Sequence, residues 1–408
     1  MRGIALLMFL VLSFCSVSQQ YMNDAYDTTF VRQNFQFSSI GQYAGNGLNN
    51  EMVRKLFLGG EITSEMINRS SNKHGLINRM GFDASSDFQY HHFKHLIGGK
   101  NKYGFLLNVE HSFLGGAIYS KDLFQLIFKG NGSLENNSAD LSGSNFYGIG
   151  FQKIGLGLID AVTKSSFSLN YYNISSYFQS SLSDFVYLQS EDLSQVDVKA
   201  KLDSDRLIGD HFNKGFGVGL DFDLRFPVQL QEGKKVHFQF LAKNIGFANF
   251  SGAVENYNVD TSYSYSGLTF GEIYGNNNVF QDDFDLMDSL NITPTINSKT
   301  IFLPGFIQIA KMTDFNSDVK IQSYFGVRVS KIVGYAPLMF IGAQYKFSNY
   351  LNIASHLTVG GFGNARVSAV IRSQFSKLGI GISTNDVYGL FNPKGLGKSL
   401  LINMRCAF

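Results

Sequence analysis

Residues 215–226 read Gly-Phe-Gly-Val-Gly-Leu-Asp-Phe-Asp-Leu-Arg-Phe, and one parity of that run is wholly apolar: Phe216, Val218, Leu220, Phe222, Leu224 and Phe226. The other parity holds Gly217, Gly219, Asp221, Asp223 and Arg225. Strand side chains alternate between faces, so this segment presents one greasy face and one small or charged face, a sorting that a helix of 3.6-residue period cannot make. A soluble sandwich strand also alternates, but it averages about 5 to 6 residues. A strand that crosses a bilayer needs about 9 to 11, and this run reaches that length.

The pattern recurs along the chain. Tyr103, Phe105, Leu107 and Val109 alternate with Gly104, Leu106, Asn108 and Glu110, and the runs at 236–243, 320–330 and 351–359 repeat it. Shorter candidates are 124–129, 147–155, 167–172, 306–310, 339–347, 366–375 and 378–383. One such segment is weak evidence, whereas a dozen in series indicate a barrel. Composition agrees: charged residues are only 16%, while Phe and Tyr number 39 and 20, and a typical soluble domain has about 25% charged residues. The formal charge of +2 lacks the clustered basic footprint of a nucleic-acid binder. The expected fold is all-β, a transmembrane antiparallel β-barrel of about 14 strands, with 12 to 16 the range, since single-chain barrels of this kind have an even number.

The ends of the chain fit this class. Arg2, the apolar run Ile4 to Leu12 and the small residues Ser16 and Ser18 form a secretory signal over residues 1–18. Phe14 before Cys15 argues against acylation of that cysteine. At the other end Leu400, Ile402, Met404, Cys406 and Phe408 share one parity, an amphipathic last strand that resembles the C-terminal assembly signal of bacterial outer-membrane barrels. These features place the protein in the outer membrane of a Gram-negative bacterium. Its expected partners are membrane lipid, the barrel-assembly machinery and, on one reading, other envelope or secretion proteins. Residues 19–75 do not alternate. Glu51 to Leu58 and Glu61 to Arg69, separated by Gly59-Gly60, read as two short helices, so 19–75 is expected to be a hatch or a periplasmic segment and 76–408 the barrel. Polar stretches at 131–143, 189–213 and 251–266 read as external loops, and 275–298 as a further loop.

Asp122-Leu123-Phe124-Gln125-Leu126-Ile127-Phe128-Lys129-Gly130-Asn131, followed by Leu141 and the strand at Tyr147, resembles the recurring core of an uncharacterised family of Bacteroidota outer-membrane barrels. Thr28-Thr29-Phe30, Asn244-Ile245-Gly246-Phe247 and Asn385-Asp386-Val387-Tyr388-Gly389-Leu390 are similar to it as well. Asn244 departs from the acidic residue expected there. The resemblance implies a barrel like that of the FadL long-chain fatty-acid transporters, with an N-terminal hatch and no assigned activity.

No catalytic set stands out, and neither an enzyme activity nor a cofactor is expected. His91, His92 and His95 form one histidine cluster, but on a strand His92 faces away from the other two and no third ligand accompanies them, so no metal site is read there. The informative groups are the charges on the inward parity: Asp221, Asp223, Arg225, Lys320, Arg328, Arg366, Arg372 and Arg405. Inside a bilayer such groups need water or opposite charge, so they mark either a polar permeation path or a paired network that closes the barrel. Two functions follow from these alternatives. One is a FadL-like channel or transporter for hydrophobic or small compounds; the other is a non-conducting subunit of a secretion or barrel-assembly complex.

Overall fold

The computed structural model describes residues 32–97, 103–134, 138–190, 195–209, 212–229, 235–265, 293–314, 317–375 and 377–408. The expected signal segment, 1–18, and most of 275–298 lie outside them. Fourteen antiparallel strands close into one ring. In ring order they are β1 (Gln33–Gly45), β2 (Ile77–Ile97), β3 (Tyr103–Ser120), β5 (Ser144–Asp160), β6 (Ser166–Gln189), β8 (Gly215–Gln229), β9 (Lys235–Tyr265), β11 (Phe306–Met312), β12 (Ile321–Ser330), β13 (Ala336–Lys346), β14 (Leu351–Gly361), β15 (Arg366–Phe375), β16 (Leu378–Thr384) and β17 (Gly397–Ala407). The ring closes where β17 pairs with β1, from Asn34 opposite Ala407 to Ala44 opposite Gly397. On its other side β1 meets β2 in a single register that is bridged only at its ends, Gln33 to His92 and Gly45 to Met80. Three further strands stand outside the ring: β4 (Ser138–Asp140), β7 (Val196–Leu207) and β10 (Thr295–Phe302).

The alternation sets the two faces of the wall. Ile154 and Leu156 on β5, Leu169 on β6, Ile309 on β11, Ile341 on β13 and Ile371 on β15 point outward and are exposed, while their neighbours of opposite parity are buried or half-buried. An apolar band on the outside of a closed barrel is the signature of a lipid-facing surface. The start of β1 and the end of β17 lie at one end, where the turns are short, as at 161–165 and 347–350. The opposite end carries the long connections. Outer-membrane barrels have long external loops and short periplasmic turns, and by that rule the termini end is termed the periplasmic end and the loop end the outer end.

The expected boundary at residue 76 does not hold, because Gln33–Gly45 is a wall strand. It escapes the alternation test because its inward side chains Asn34, Gln36 and Ser38 are polar while its outward ones include Ser39 and Gly41 as well as Phe35 and Phe37. The two expected helices do form, as α1 (Asn50–Leu58) and α2 (Ser64–Ser71). Asn49 caps the first through Oδ1, which accepts from Met52 N at 2.9 Å, and Gly59 ends it at φ 79°. They join β1 to β2 at the loop end, so they form neither a periplasmic segment nor a hatch.

Three other expectations change. The stretch 124–129 belongs to a helix, α3 (Lys121–Lys129), capped by Ser120, and its apolar residues Leu123, Phe124, Ile127 and Phe128 follow a helical spacing rather than alternation. The stretch 189–213 contains β7, and 251–266 continues β9 to Tyr265. These strands run past the ring; Val196, Val198, Ala200 and Leu202 do share one parity of β7, but charged and polar residues predominate in both stretches, which is why they read as loops. A fourth helix, α4 (Val387–Phe391), lies between β16 and β17. No helix of the described residues is long and apolar enough to cross a membrane.

Candidate functional site in the lumen

The interior is filled in two layers. The layer toward the loop end is apolar and reaches around the ring: Leu114, Ile149, Phe151, Ile174, Tyr177, Phe250, Leu338 and Phe340 join Ile332, Tyr335 and Phe362 in one buried cluster. The last three come from connections that turn inward. The 331–335 connection crosses the lumen to the inner face of β3, half the ring away, where a Cβ on Gly116 would lie 2.0 Å from the Val333 carbonyl oxygen. Phe362 in the β14–β15 turn occupies the space that a side chain at Gly81 would need, with ring atoms 2.3 Å from such a Cβ. Glycine at these two positions is what lets the turns seat against the wall. Among the described residues, the lumen is therefore filled on the loop side by 331–335 and 362–365 and by the wall's own side chains.

Beneath that layer lies a charged cluster drawn from five consecutive ring strands. Lys153 on β5 is completely buried, and its ammonium stands 2.5 Å from Glu110 Oε2 on β3 and 3.0 Å from both Asp221 Oδ2 on β8 and Asn244 Oδ1 on β9. A lysine has three donors, and here each has an acceptor. Tyr172 on β6 donates to the same Asn244 oxygen at 3.0 Å, and Ser112 donates to Glu110 at 2.7 Å. Asn244 adopts φ 58° at a shift in the β8–β9 register, a left-handed conformation that asparagine tolerates better than most residues. The bulge turns its backbone N–H onto Asp221 Oδ1 at 2.7 Å while its side chain reaches Lys153. The departure from an acidic residue thus sits at the centre of the cluster. An asparagine supplies the acceptor without adding a third carboxylate beside Glu110 and Asp221.

Below the cluster a cavity of about 230 Å³ opens toward the periplasmic end. Asp87 and Lys243 face each other across it at 3.4 Å, joining β2 to β9 through the lumen. Asp223 holds Arg225 at 2.7 Å and accepts from Gln239 at 2.6 Å. Arg372 and Arg405 also line the cavity, and Arg405 Nε donates to Asn34 Oδ1 at 3.1 Å. Lys164, Arg225, Lys243, Arg372 and Arg405 outnumber the lining carboxylates Asp87, Glu110 and Asp223. The cavity therefore presents an excess of positive charge.

The sequence-derived inward charges divide by position. Asp221 is in the cluster, and Asp223, Arg225, Arg372 and Arg405 line the cavity. Arg328 is fully buried, donates to Gln308 Oε1 from Nε at 2.9 Å and lies over the Phe306 ring. Arg366 is buried at the outer end of β15 beside Gly361 and Gly363, away from the cavity. Lys320 is a correction: β12 begins at Ile321, so this side chain is exposed in the connection before it. On β17 the side chains of Ile402, Met404, Cys406 and Phe408 share the outward parity, and the Phe408 carbonyl accepts from Arg32 and Gln33 N at 2.8 and 3.1 Å. His91 lines the cavity, the side chain of His95 lies outside the described residues, and no group of metal-ligating side chains occurs among those described.

Glu110, Lys153, Asp87, Lys243 and Asn244 were not among the inward charges read from the sequence, where Asn244 stood out only as a departure from the expected acidic residue. Glu110 and Lys243 sit on polar parities that sequence inspection displays. Lys153 does not, because its parity neighbours Ile149 and Phe151 are apolar. Only the fold shows that this parity faces the lumen.

Residues 161–385, just over half the chain, match a sequence family described as a family of unknown function, DUF5723, and the chain belongs to it. No curated protein matches. Among solved structures the chain is similar to the translocator domain of the autotransporter NalP from Neisseria meningitidis, at 8% identity and TM-score 0.30 over 93% of this chain and 89% of that one. It is similar also to the toluene transporter TodX of P. putida, at 9% identity and TM-score 0.32 over 93% and 80%. The transport unit of the autotransporter AIDA-I from Escherichia coli follows at 7% identity and TM-score 0.26 over 95% and 94%.

Proposed function

We propose that this member of the DUF5723 family is an outer-membrane transporter that is closed at rest and holds small polar, preferentially anionic, solutes in its periplasm-facing cavity. The observation that carries this reading is the asymmetry of the lumen: a charged cavity open at one end, and at the other an apolar layer completed by two turns. Burial of charge inside a barrel has a large cost unless water or counter-charge is present, and a chain selected only for closure would fill this space with side chains. The excess of arginine and lysine favours anions over hydrophobic compounds, for which the cavity offers little apolar wall. The 331–335 and 362–365 turns are the gate, since they are attached to the wall by packing rather than by strand pairing.

The test is conductance in planar bilayers. The native barrel is expected to be nearly silent, and Phe362→Ala combined with Tyr335→Ala, which empties the apolar layer, is expected to raise single-channel conductance several-fold with anion preference. Arg225→Gln with Arg405→Gln in that background should reverse or abolish the preference. A double variant as silent as the native protein contradicts a gated path. A second reading, a scaffold within an envelope complex, is favoured by β6, β7, β9 and β10, which pair beyond the rim and present exposed ion pairs such as Lys201–Asp260. Silent barrels recovered with stoichiometric envelope partners would support that reading.

A further inference from the structure

From the outer surface of the wall, we infer a seat for an acyl chain of an outer-leaflet lipid, formed by a recess in β2, β3, β5 and β6 and bordered by α1. It is separate from the lumen and does not depend on the transport reading. The recess has a volume of about 390 Å³ and is flanked by Phe82, Phe113, Phe146 and Phe178, with Met80 at its upper edge and Gly148 in its floor. Phe82 and Phe113 stack at 5.5 Å. A Cβ on Gly148 would meet nothing nearer than 3.9 Å, so the recess is open at the point where a larger residue would fill it.

The helices pack along the edge of this recess. Outward-facing Tyr43, Met80, Ala117, Tyr119 and Phe146 are covered by Leu48, by Met52 and Val53 of α1 and by Phe124 of α3. The end of α1 does not pack on the wall in the same way. Its Leu56, Phe57 and Leu58 are 48%, 64% and 81% exposed, and the Phe57 ring meets Phe82 edge-on at 6.3 Å. Three consecutive exposed apolar side chains in water would be a liability. Here they continue the lipid-facing band of the wall, since Phe82 shares the outward parity of Phe88 on the same strand. A helix lying in the interface with its apolar residues in the acyl region satisfies them. Continuity with the band identifies the occupant as membrane lipid, and the depth of the recess gives one chain a defined place.

The protein contains no tryptophan, so a single introduced indole reports its surroundings without background. Phe57→Trp, and separately Leu58→Trp at a position too exposed to affect folding, are reconstituted in dioleoylphosphatidylcholine vesicles with and without lipids brominated on the acyl chain. Tyr263→Trp, on the part of β9 beyond the ring, serves as the water-exposed control. The expected result is blue-shifted emission and quenching several-fold greater at 57 and 58 than at 263. Gly148→Leu is then purified beside the native protein in mild detergent, and retained lipid is measured as total acyl chains, those of lipopolysaccharide included, per folded barrel, with heat-modifiability on gels as the folding check. The native protein is expected to keep about one lipid more than the variant. Quenching at 57 and 58 no greater than at 263, or equal lipid retention with and without Gly148→Leu, overturns the inference.

Discussion

Toward the outside, the lumen is filled by Phe250, Leu338, Tyr335 and Phe362; toward the periplasm the same ring of strands surrounds Lys153, Glu110, Asp221 and Asn244. Both layers exclude solvent, but for different reasons. The apolar layer needs volume, and it obtains it by folding two turns inward onto Gly81 and Gly116. The charged layer needs stoichiometry: three donors on one ammonium meet three acceptors at 2.5 to 3.0 Å. A filled volume tolerates exchange of one hydrocarbon for another, whereas a filled hydrogen-bond set does not tolerate the loss of a member.

The largest effect expected from this contrast is at Lys153. Lys153→Met keeps most of the volume but leaves Glu110 and Asp221 buried without their cation, which costs about 3 to 5 kcal/mol. Phe250→Leu in the other layer, an exchange of one buried hydrocarbon for another, should cost less than about 1.5 kcal/mol. Urea titration of the folded barrel in micelles, read by heat-modifiability, measures both, and equal midpoints would erase the distinction between the layers.

Across the wall, adjacent residues of β8 sharpen it next. Leu220→Arg puts a charge on the lipid face, at about 2 to 4 kcal/mol near the midplane. Asp221→Asn keeps one oxygen, enough for Lys153 or for the Asn244 N–H but not for both, since these bond to different carboxylate oxygens, at about 2 kcal/mol. Membrane-inserted yield should fall more for Leu220→Arg, and the opposite order would mean that the two faces are exchanged.

The smallest effect lies outside the bilayer, where the helices meet the barrel end. His74 stacks on Phe124 with centroids 4.0 Å apart, with its Nε2 3.1 Å from the Tyr119 hydroxyl and its Nδ1 2.8 Å from the Ser70 carbonyl oxygen. Burial, assisted by nearby Lys121 and opposed by the Ser70 carbonyl, holds its imidazole below the ordinary histidine range. The unfolded chain therefore takes up the proton first, near pH 6.5. The contribution of this site is fully present above that pH and declines as pH falls toward the depressed native value. Hydrogen exchange in α2 should accelerate between pH 7 and pH 5 in the native protein beyond the intrinsic trend, and His74→Gln should remove the excess.

The alternation that identified the barrel was legible because lipid demands apolar side chains on every outward position of a crossing strand. Phe216 to Phe226 and Leu400 to Phe408 show it in full. The same rule is silent where lipid is absent. Strand β7 and the last third of β9 read as loops because their charged and polar residues outweigh their apolar ones, and β1 reads as irregular because its inward positions are polar and Ser39 and Gly41 interrupt its outward ones. In the candidate site, Asp221, Asp223 and Arg225 were visible as charges on a clean parity. Lys153 was hidden among apolar neighbours, and Asn244 registered only as a local mismatch, since a bulge is a relation between two strands.

Local order along the chain thus determined the class of fold, the approximate strand number, the two helices after β1 and which side chains of a clear strand face inward. Each of these follows from a period of two or from a cap within a few residues. The tertiary structure alone decided that β1 closes the ring against β17, that 331–335 and Phe362 shut the outer end of the lumen, and that Glu110, Lys153, Tyr172, Asp221 and Asn244 share one set of protons. Those contacts join residues as far apart as Asn34 and Ala407. They depend on strand register and barrel closure, which the pattern of any single segment does not contain.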